Sequence, residues 1–452
     1  MNKKITAIVA FFAAFMVFSN SLSAQEVKKL SLQEAVALGL ESSKNLKIDQ
    51  AKIQEATAAV EEAKNNQLPD FKVTGSYMRL TNANIDLKLA QGKSEEGSGS
   101  GSGSSMPKVS QAMYGIANLT LPIYAGGKIR YGIQSAKYLL EAVKLNTGSD
   151  KNAIAYNLTE AYTNLFKAAQ LIGVIKENLA ASEHRDSNFL QLENNGLMAR
   201  NDRLKAQLQT SDIELQLLEA QNNYTIANVN MDLLLGLPET TVIEVDSAFI
   251  NSAYDEQPIG YYEEQAIQNR KDMQALDYQQ KAAQTGIKAA KADYIPSLAL
   301  TGGYIAADIP KVFTVTNAIN GGIGLQYNLS SLWKTGATVR KAKAQAQELL
   351  ASQELLTDNI HLEINRNYQN SILARKKIDV HSQALIQAEE NYRITKNKYD
   401  NSLVTITDLL DANASLLSSK INLLNARADA ALAYQKLLEA SGILIKKNFK
   451  DY

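Results

Sequence analysis

Residues 290–304 read AKADYIPSLALTGGY, and residues 63–77 read AKNNQLPDFKVTGSY. Each run leaves a helix-forming Ala-Lys, passes a proline and enters a stretch of small and apolar residues. Pro69 falls on Pro296 at an offset of 227 residues. Further along, Gly196-Leu197 aligns with Ser402-Leu403, Asp202 with Asp408, and Gly236 with Gly442, all at an offset of 206. The chain is therefore read as one plan written twice, over about 30–238 and 258–445. Such repetition constrains a fold more than any single segment does. The first copy holds 21 extra residues between the two sets of matches, and EEGSGSGSGSSMP at 95–107 lies in that interval. A Gly/Ser run of this kind is solvated chain, so an external loop is expected over about 92–107.

Proline shows where long helices are allowed. The seven prolines stand at 69, 107, 122, 238, 258, 296 and 310, leaving 123–237 and everything after 310 free of them. A proline inside a helix costs about 3 kcal/mol, and both gaps are rich in Ala, Leu, Gln, Glu and Lys, the better helix formers. Periodicity agrees. Leu409, Ala412, Leu416, Ser419, Leu423, Ala426, Ala430, Ala433, Leu437 and Ala440 recur at alternating steps of 3 and 4. This is a heptad seam, which implies left-handed coiled-coil packing, with alanines that let helices approach closely. The stretch from 130 to 193 carries Ile154, Leu158, Ala161, Leu165, Ile172, Ile175 and Leu179 in the same manner. A helix of about 60 residues would be roughly 90 Å long.

Between the helices the period changes to two. In 319–330, Ile319, Ile323, Leu325, Tyr327 and Leu329 fall on one face, with Asn320, Gly322, Gly324, Gln326 and Asn328 on the other. In 113–124, Met113, Ala117, Leu119, Leu121 and Ile123 oppose Asn118 and Thr120. Strands of about 10 residues can cross a membrane at a tilt. Each copy thus reads helix, strand, loop, strand, long helix, turn, long helix, which gives four such strands per chain. Four strands cannot close a barrel, and open edges cannot sit in lipid because their backbone groups would lack hydrogen-bond partners. If the strands span a membrane, several chains share one barrel.

The remaining features bound the class. The 452 residues carry no net charge, which removes any bulk electrostatic case for nucleic acid. Cysteine is absent, so disulfides, thiolate metal sites, cysteine nucleophiles and a lipid-acceptor thiol are excluded. Lys3 and Lys4, the apolar run ITAIVAFFAAFMVF and the small residues SNSLSA predict a secretory signal over 1–24. Its apolar core of 14 residues is short of the roughly 20 that span a bilayer. The exported remainder, 25–452, is read as a single protomer built of the two copies.

The twofold repeat, the strand–loop–strand insert in each copy, NNGLMARNDRLKAQ at 194–207, DNSLVTITDLLDA at 400–412 and LPIYAGGKIR at 121–130 together resemble the TolC-like family of outer-membrane efflux proteins. The resemblance covers roughly 30–445. It implies a mainly α chain with a transmembrane β portion. It implies a homotrimer whose twelve-stranded barrel in the outer membrane of a Gram-negative bacterium continues into a periplasmic tunnel of long helices. It implies passive export of drugs, other toxic compounds or proteins, powered by an inner-membrane transporter through a periplasmic adaptor, with no cofactor. Asn195, Gly196 and Leu197, with Asn401, Ser402 and Leu403, would form the helix-tip turns that meet the adaptor. Residues 255–270 would belong to a belt about the tunnel's middle.

The carboxylates Asp408 and Asp411 stand three residues apart after a turn-like Asn-Ser. Thr405 or Thr407 can cap the helix that follows, and an acid in its first turn favours the positive end of the helix dipole. That accounts for Asp408 better than for Asp411. Onward, Asp408, Asp411, Ser415, Ser418, Asn422, Asn425 and Asp429 form a polar stripe one residue off the apolar seam. A solvated surface or the wall of a water-filled tunnel would look this way. In the resemblance both acids line the narrow periplasmic entrance. Threefold symmetry would gather six carboxylates, raise their pKa values and attract cations. Tyr399 and Asp202 match two positions of the family's latch. Val404 replaces its arginine and Asn201 its threonine, and Arg200 or Arg203 could substitute.

An enzyme would need a catalytic set. His184, His361 and His381 each sit in helical sequence with no metal-ligand arrangement, and AGGK at 125–128 lacks P-loop spacing. The other alternative is an exported coiled-coil filament or adhesin. It would share the Ala-rich heptads but has no need of alternating strands in both copies.

Overall fold

The computed structural model describes residues 27–83, 109–251, 257–310 and 313–449. The expected signal at 1–24 and the Gly/Ser loop at about 92–107 lie outside the described residues. The described chain forms two compact units. One draws on residues up to 51, 145–274 and from 354 onward; the other draws on 52–144 and 275–353.

The second unit holds the sheet. Its strands are β2 (Asp70–Ala83), β3 (Val109–Ala125), β5 (Ser297–Ile309) and β6 (Phe313–Gln326), antiparallel throughout in the order β2-β3-β5-β6. All four are longer than the 10 to 12 residues of clean alternation. The register explains the alternation. Phe71 faces Leu119, Val73 faces Ala117 and Tyr77 faces Met113. The same row system continues with Leu121 opposite Leu300, Leu300 opposite Ile323 and Leu298 opposite Leu325. Directly opposed residues of an antiparallel pair share a face, so the sheet has one apolar side. That side is open: Val73, Ile323 and Leu325 are 70%, 70% and 72% exposed.

Three irregularities interrupt the ladder, the first in β2 between Arg79 and Ala83. Pro122 faces Ala299 but Tyr124 faces Leu298, so Ile123 is an extra residue in β3. The alternation that groups Ile123 with Leu121 ends at Pro122, and Tyr124 takes the place opposite Leu298. Proline has no N–H to give a ladder, which suits it to such a break. In β6 the slip occurs at Asn317, whose φ is 59°, and the Tyr304 hydroxyl accepts from its backbone N–H at 3.3 Å.

The LPIYAGGKIR junction is close-packed. Gly126 has a φ of 61°, and a Cβ there would lie 2.7 Å from the Ala292 carbonyl oxygen. Only glycine suits both the conformation and the contact. Lys128 then opens the long helix that follows and pairs with Asp293 at 2.7 Å.

The helices match the proline gaps. Before the sheet strands run α1 (Leu32–Ser42), α2 (Lys44–Asn65), α5 (Ile259–Asn269) and α6 (Lys271–Lys291). After them come α3 (Lys128–Asn194, 67 residues), α4 (Arg200–Leu235), α7 (Ser331–Asp400, 70 residues) and α8 (Ile406–Ala440), followed by the short α9 (Leu444–Asn448). Among the described residues no helix is long and apolar enough to cross a membrane.

The first unit contains a feature absent from the four-strand reading. β1 (Val27–Leu30) and β4 (Val242–Val245) pair in parallel, Val27 with Val242 through Leu30 with Val245. They sit on a core that includes Val36, Leu158, Tyr162, Leu165, Met231 and Leu438. Tyr162 is fully buried; its hydroxyl donates to the Leu30 carbonyl at 2.8 Å and accepts from Asp246 N–H at 2.7 Å, tying both strands to α3. Asn228 of α4 serves β4 likewise. It donates to Thr241 O at 2.6 Å and accepts from Ile243 N–H at 2.9 Å.

Candidate functional site

The two hairpin turns of the first unit carry the residues singled out by sequence. α3 ends in a turn where Gly196 has a φ of 71°, Gly196 N–H reaches Glu193 O at 2.9 Å and Leu197 N–H reaches Leu192 O at 2.8 Å. This paired bonding is the Schellman stop, which satisfies the last carbonyls of a helix. α7 ends the same way: Ser402 has a φ of 60°, its N–H reaches Tyr399 O at 2.9 Å, and Leu403 N–H reaches Lys398 O at 2.8 Å. Asn195 and Asn401 each donate a side-chain amide back to a carbonyl four residues earlier, at 2.8 and 2.7 Å. Each turn then holds out a leucine, with Leu197 74% and Leu403 73% exposed.

The helices that follow start differently. Thr405 is the N-cap of α8, and Asp408 answers it. Asp408 Oδ2 accepts from Thr405 N–H at 2.8 Å and from Thr405 Oγ1 at 2.7 Å, and Asp408 N–H donates to Thr405 Oγ1 at 3.3 Å. These bonds hold the Asp408 carboxyl below its ordinary pKa. The mutual raising expected of clustered acids requires carboxylates beyond this chain. Asp411 lies exposed one turn on, with no ion pair among the described residues. Among the described residues no third acid or imidazole joins the pair into a metal-binding group. In the first copy the N-cap is Ala199, which offers no side-chain bond, and Asp202 is instead paired with Lys205 at 3.2 Å.

Behind the turns lies a small core of Phe189, Ala206, Ile406, Leu409 and Leu410, with Tyr392 and Tyr399 against it. The Tyr399 ring centroid is 5.8 Å from that of Phe189. Burial raises the Tyr399 pKa, and the charges of Asp202 and Asp400 add to the rise. Asp202 is therefore near Tyr399, but among the described residues no hydrogen bond joins them. Arg203 is engaged within its own hairpin, with Glu193 at 2.9 Å and Asp186 at 3.4 Å. Arg200 is exposed. Further along, Asn413 donates to Asn178 Oδ1 at 3.2 Å and Gln209 to Leu410 O at 3.3 Å. Nothing in their spacing marks these polar partners, since each pair joins helices far apart in sequence.

The seam and stripe of α8 separate as periodicity requires. Leu409, Ala412, Leu423, Ala426, Ala430, Leu437 and Ala440 are buried. Asp408, Asp411, Ser415, Ser418, Asn422 and Asp429 are exposed, and Asn425 is half-buried.

Comparison with known proteins decides the family. The model of the outer membrane efflux proteins matches residues 36–237 and 263–443. The chain belongs to the outer membrane efflux protein family. This TolC-like family places it in the outer membrane of a Gram-negative bacterium, among efflux channels. It is 24% identical to the outer membrane protein TolC of Vibrio cholerae over 312 residues, which span 67% of this chain and 70% of that one. It is 22% identical to TolC of Escherichia coli over 314 residues, 66% of this chain and 62% of that one. Among solved structures, the outer membrane protein VceC of Vibrio cholerae aligns with a TM-score of 0.73 at 19% identity, covering 91% of this chain and 96% of that one. CusC aligns with a TM-score of 0.76 at 17% identity, covering 91% and 92%. In this efflux family member the acid pair, the capped turn and the exposed leucines all fall inside the matched blocks.

Proposed function

We propose that three copies of the chain form an outer-membrane exit duct, and that each copy is one protomer of two repeats, about 30–238 and 258–445. One observation carries this reading: a four-stranded sheet with an exposed apolar face and two unpaired edges, β2 and β6. Such a sheet is stable in lipid only if its edges meet other edges, and three copies joined β6 to β2 close a twelve-stranded ring. Exposed rows on the long helices support the same assembly. Leu208, Leu215, Leu355, Leu362 and Val380 are each more than half exposed along α4 and α7, where neighbouring chains would cover them.

The duct conducts passively from the periplasm outward, for small molecules such as drugs and toxic compounds or for proteins. An inner-membrane transporter drives it through a periplasmic adaptor that meets the turns at Asn195, Gly196, Leu197, Asn401, Ser402 and Leu403. Asp408 and Asp411 of three chains form a cation-attracting constriction at the periplasmic entrance, and Tyr399 and Asp202 contribute to holding it shut. The test is conductance in planar bilayers. Asp408→Ala/Asp411→Ala channels should lose cation preference and divalent block; unchanged selectivity and block would sink the constriction. A detergent-extracted trimer supports the duct, whereas a soluble elongated monomer would favour the coiled-coil filament.

A further inference from the structure

The polar face of the sheet carries a cluster to which the export reading gives no role. The register sets Lys72 opposite Asn118, Asn118 opposite Gly303 and Gly303 opposite Asn320, so one row crosses all four strands. It lies on the side away from Phe71, Leu119, Leu300 and Ile323. Gly303 leaves the middle of the row without a side chain. A Cβ there would stand 2.9 Å from Asn320 Oδ1 and 3.1 Å from Asn118 Oδ1. Both carboxamide oxygens therefore lean over the glycine from its two neighbours, where they can accept weak bonds from its Cα–H. A carboxamide whose oxygen is turned inward presents its amino group on the opposite side.

The row thus holds three donor groups on one face of the sheet, two carboxamide amino groups and the Lys72 ammonium. All three side chains are exposed, and among the described residues none has an ion pair or a side-chain hydrogen bond. The adjoining row holds Asp70 opposite Thr120, and the row beyond, Thr74 with Ile116 and Ile305, is uncharged.

We propose that Lys72, Asn118 and Asn320 form an anion-recognising collar inside the barrel, binding carboxylate, phosphate or sulfate groups of solutes in transit. This rests on the duct reading, in which threefold symmetry repeats the row three times about one axis. Rings of charged side chains set selectivity in pores, and a compact ammonium flanked by amide donors suits oxyanions.

The experiment uses the full protein in planar bilayers with inorganic tripolyphosphate in either chamber. Current interruptions are expected in the unsubstituted channel. Their mean duration should fall about tenfold in Lys72→Ala and several-fold in Asn118→Ala/Asn320→Ala, with Lys72→Arg keeping most of it. No interruptions, or interruptions that Lys72→Ala leaves unchanged, overturn the collar. A second measurement tests the faces separately. The chain has no cysteine, so Asn118→Cys and Leu119→Cys each introduce a single thiol per chain. A charged, membrane-impermeant thiol reagent should lower conductance of Asn118→Cys and spare Leu119→Cys. Any other pattern overturns the duct reading itself; the expected pattern without a tripolyphosphate effect overturns the collar alone.

Discussion

Ser402 holds, at a φ of 60°, the left-handed stop position that Gly196 holds at 71° in the first copy. A side chain is strained there and glycine is not. Ser402→Gly should therefore strengthen the second turn by about 1 kcal/mol. Hydrogen exchange of the Leu403 amide, bonded to Lys398 O, reads this directly. Slower exchange in Ser402→Gly is expected, and faster exchange would refute the strain.

The caps differ between copies in a way that can be repaired. Ala199→Thr would face Asp202 at the spacing that joins Thr405 to Asp408. A new side-chain cap contributes about 1 kcal/mol, so exchange at Asp202 and Arg203 should slow several-fold. Thr405→Ala should do the reverse at Asp408. If Lys205 keeps Asp202 from turning back, Ala199→Thr will change nothing and Ala199→Thr/Lys205→Ala will be needed to show the effect.

Asp232 gives a pH dependence. It is fully buried, its Oδ2 accepts from Asn228 at 2.9 Å, and its Oδ1 lacks a partner among the described residues. Burial pushes its pKa up to about 6, with Glu239 adding to the rise. The folded state then binds the proton more tightly than the unfolded state. The associated stability is fully present below the ordinary carboxylate range and is lost as pH rises through about 6. Acidifying from neutral pH to pH ~4 should raise the protection of the Ile243 amide relative to its intrinsic exchange, by an amount bounded at about 3 kcal/mol. Asp232→Asn should flatten that dependence; an unchanged slope would place its origin elsewhere.

Trp333 is the one tryptophan of the chain, 69% exposed near the start of α7 beside Leu332 and Leu329. Tryptophan favours the membrane–water boundary. In reconstituted protein its fluorescence should be quenched more by lipids brominated near the headgroup than by those brominated near the chain end. Quenching by aqueous acrylamide alone would remove Trp333 from the boundary.

Much of this was legible because the period of apolar residues reports burial directly. The α8 seam and stripe, the long helices and the sheet's alternation all follow from spacing. What spacing cannot show is a break in spacing. The bulge at Ile123 turns two residues to one partner, and the alternation carries no mark of it beyond Pro122. The β1–β4 pair was invisible for another reason: four-residue strands have too few alternations to signal, and their partners lie a whole repeat apart. At the turns, the Thr405 cap was readable from local sequence. The Arg203 ion pairs were not, because three charged side chains on two helices allow several pairings and only packing chooses among them.

The Tyr162 hydroxyl bonds both to Leu30 and to the residue after β4. Strand Val27–Leu30 therefore has nothing to pair with until Val242–Val245 has been made. While the residues between them are being made, Val27–Leu30 stays an open strand. The core beneath the pair also takes in Tyr434, Leu438 and Phe449, so it is complete only when the second repeat has followed.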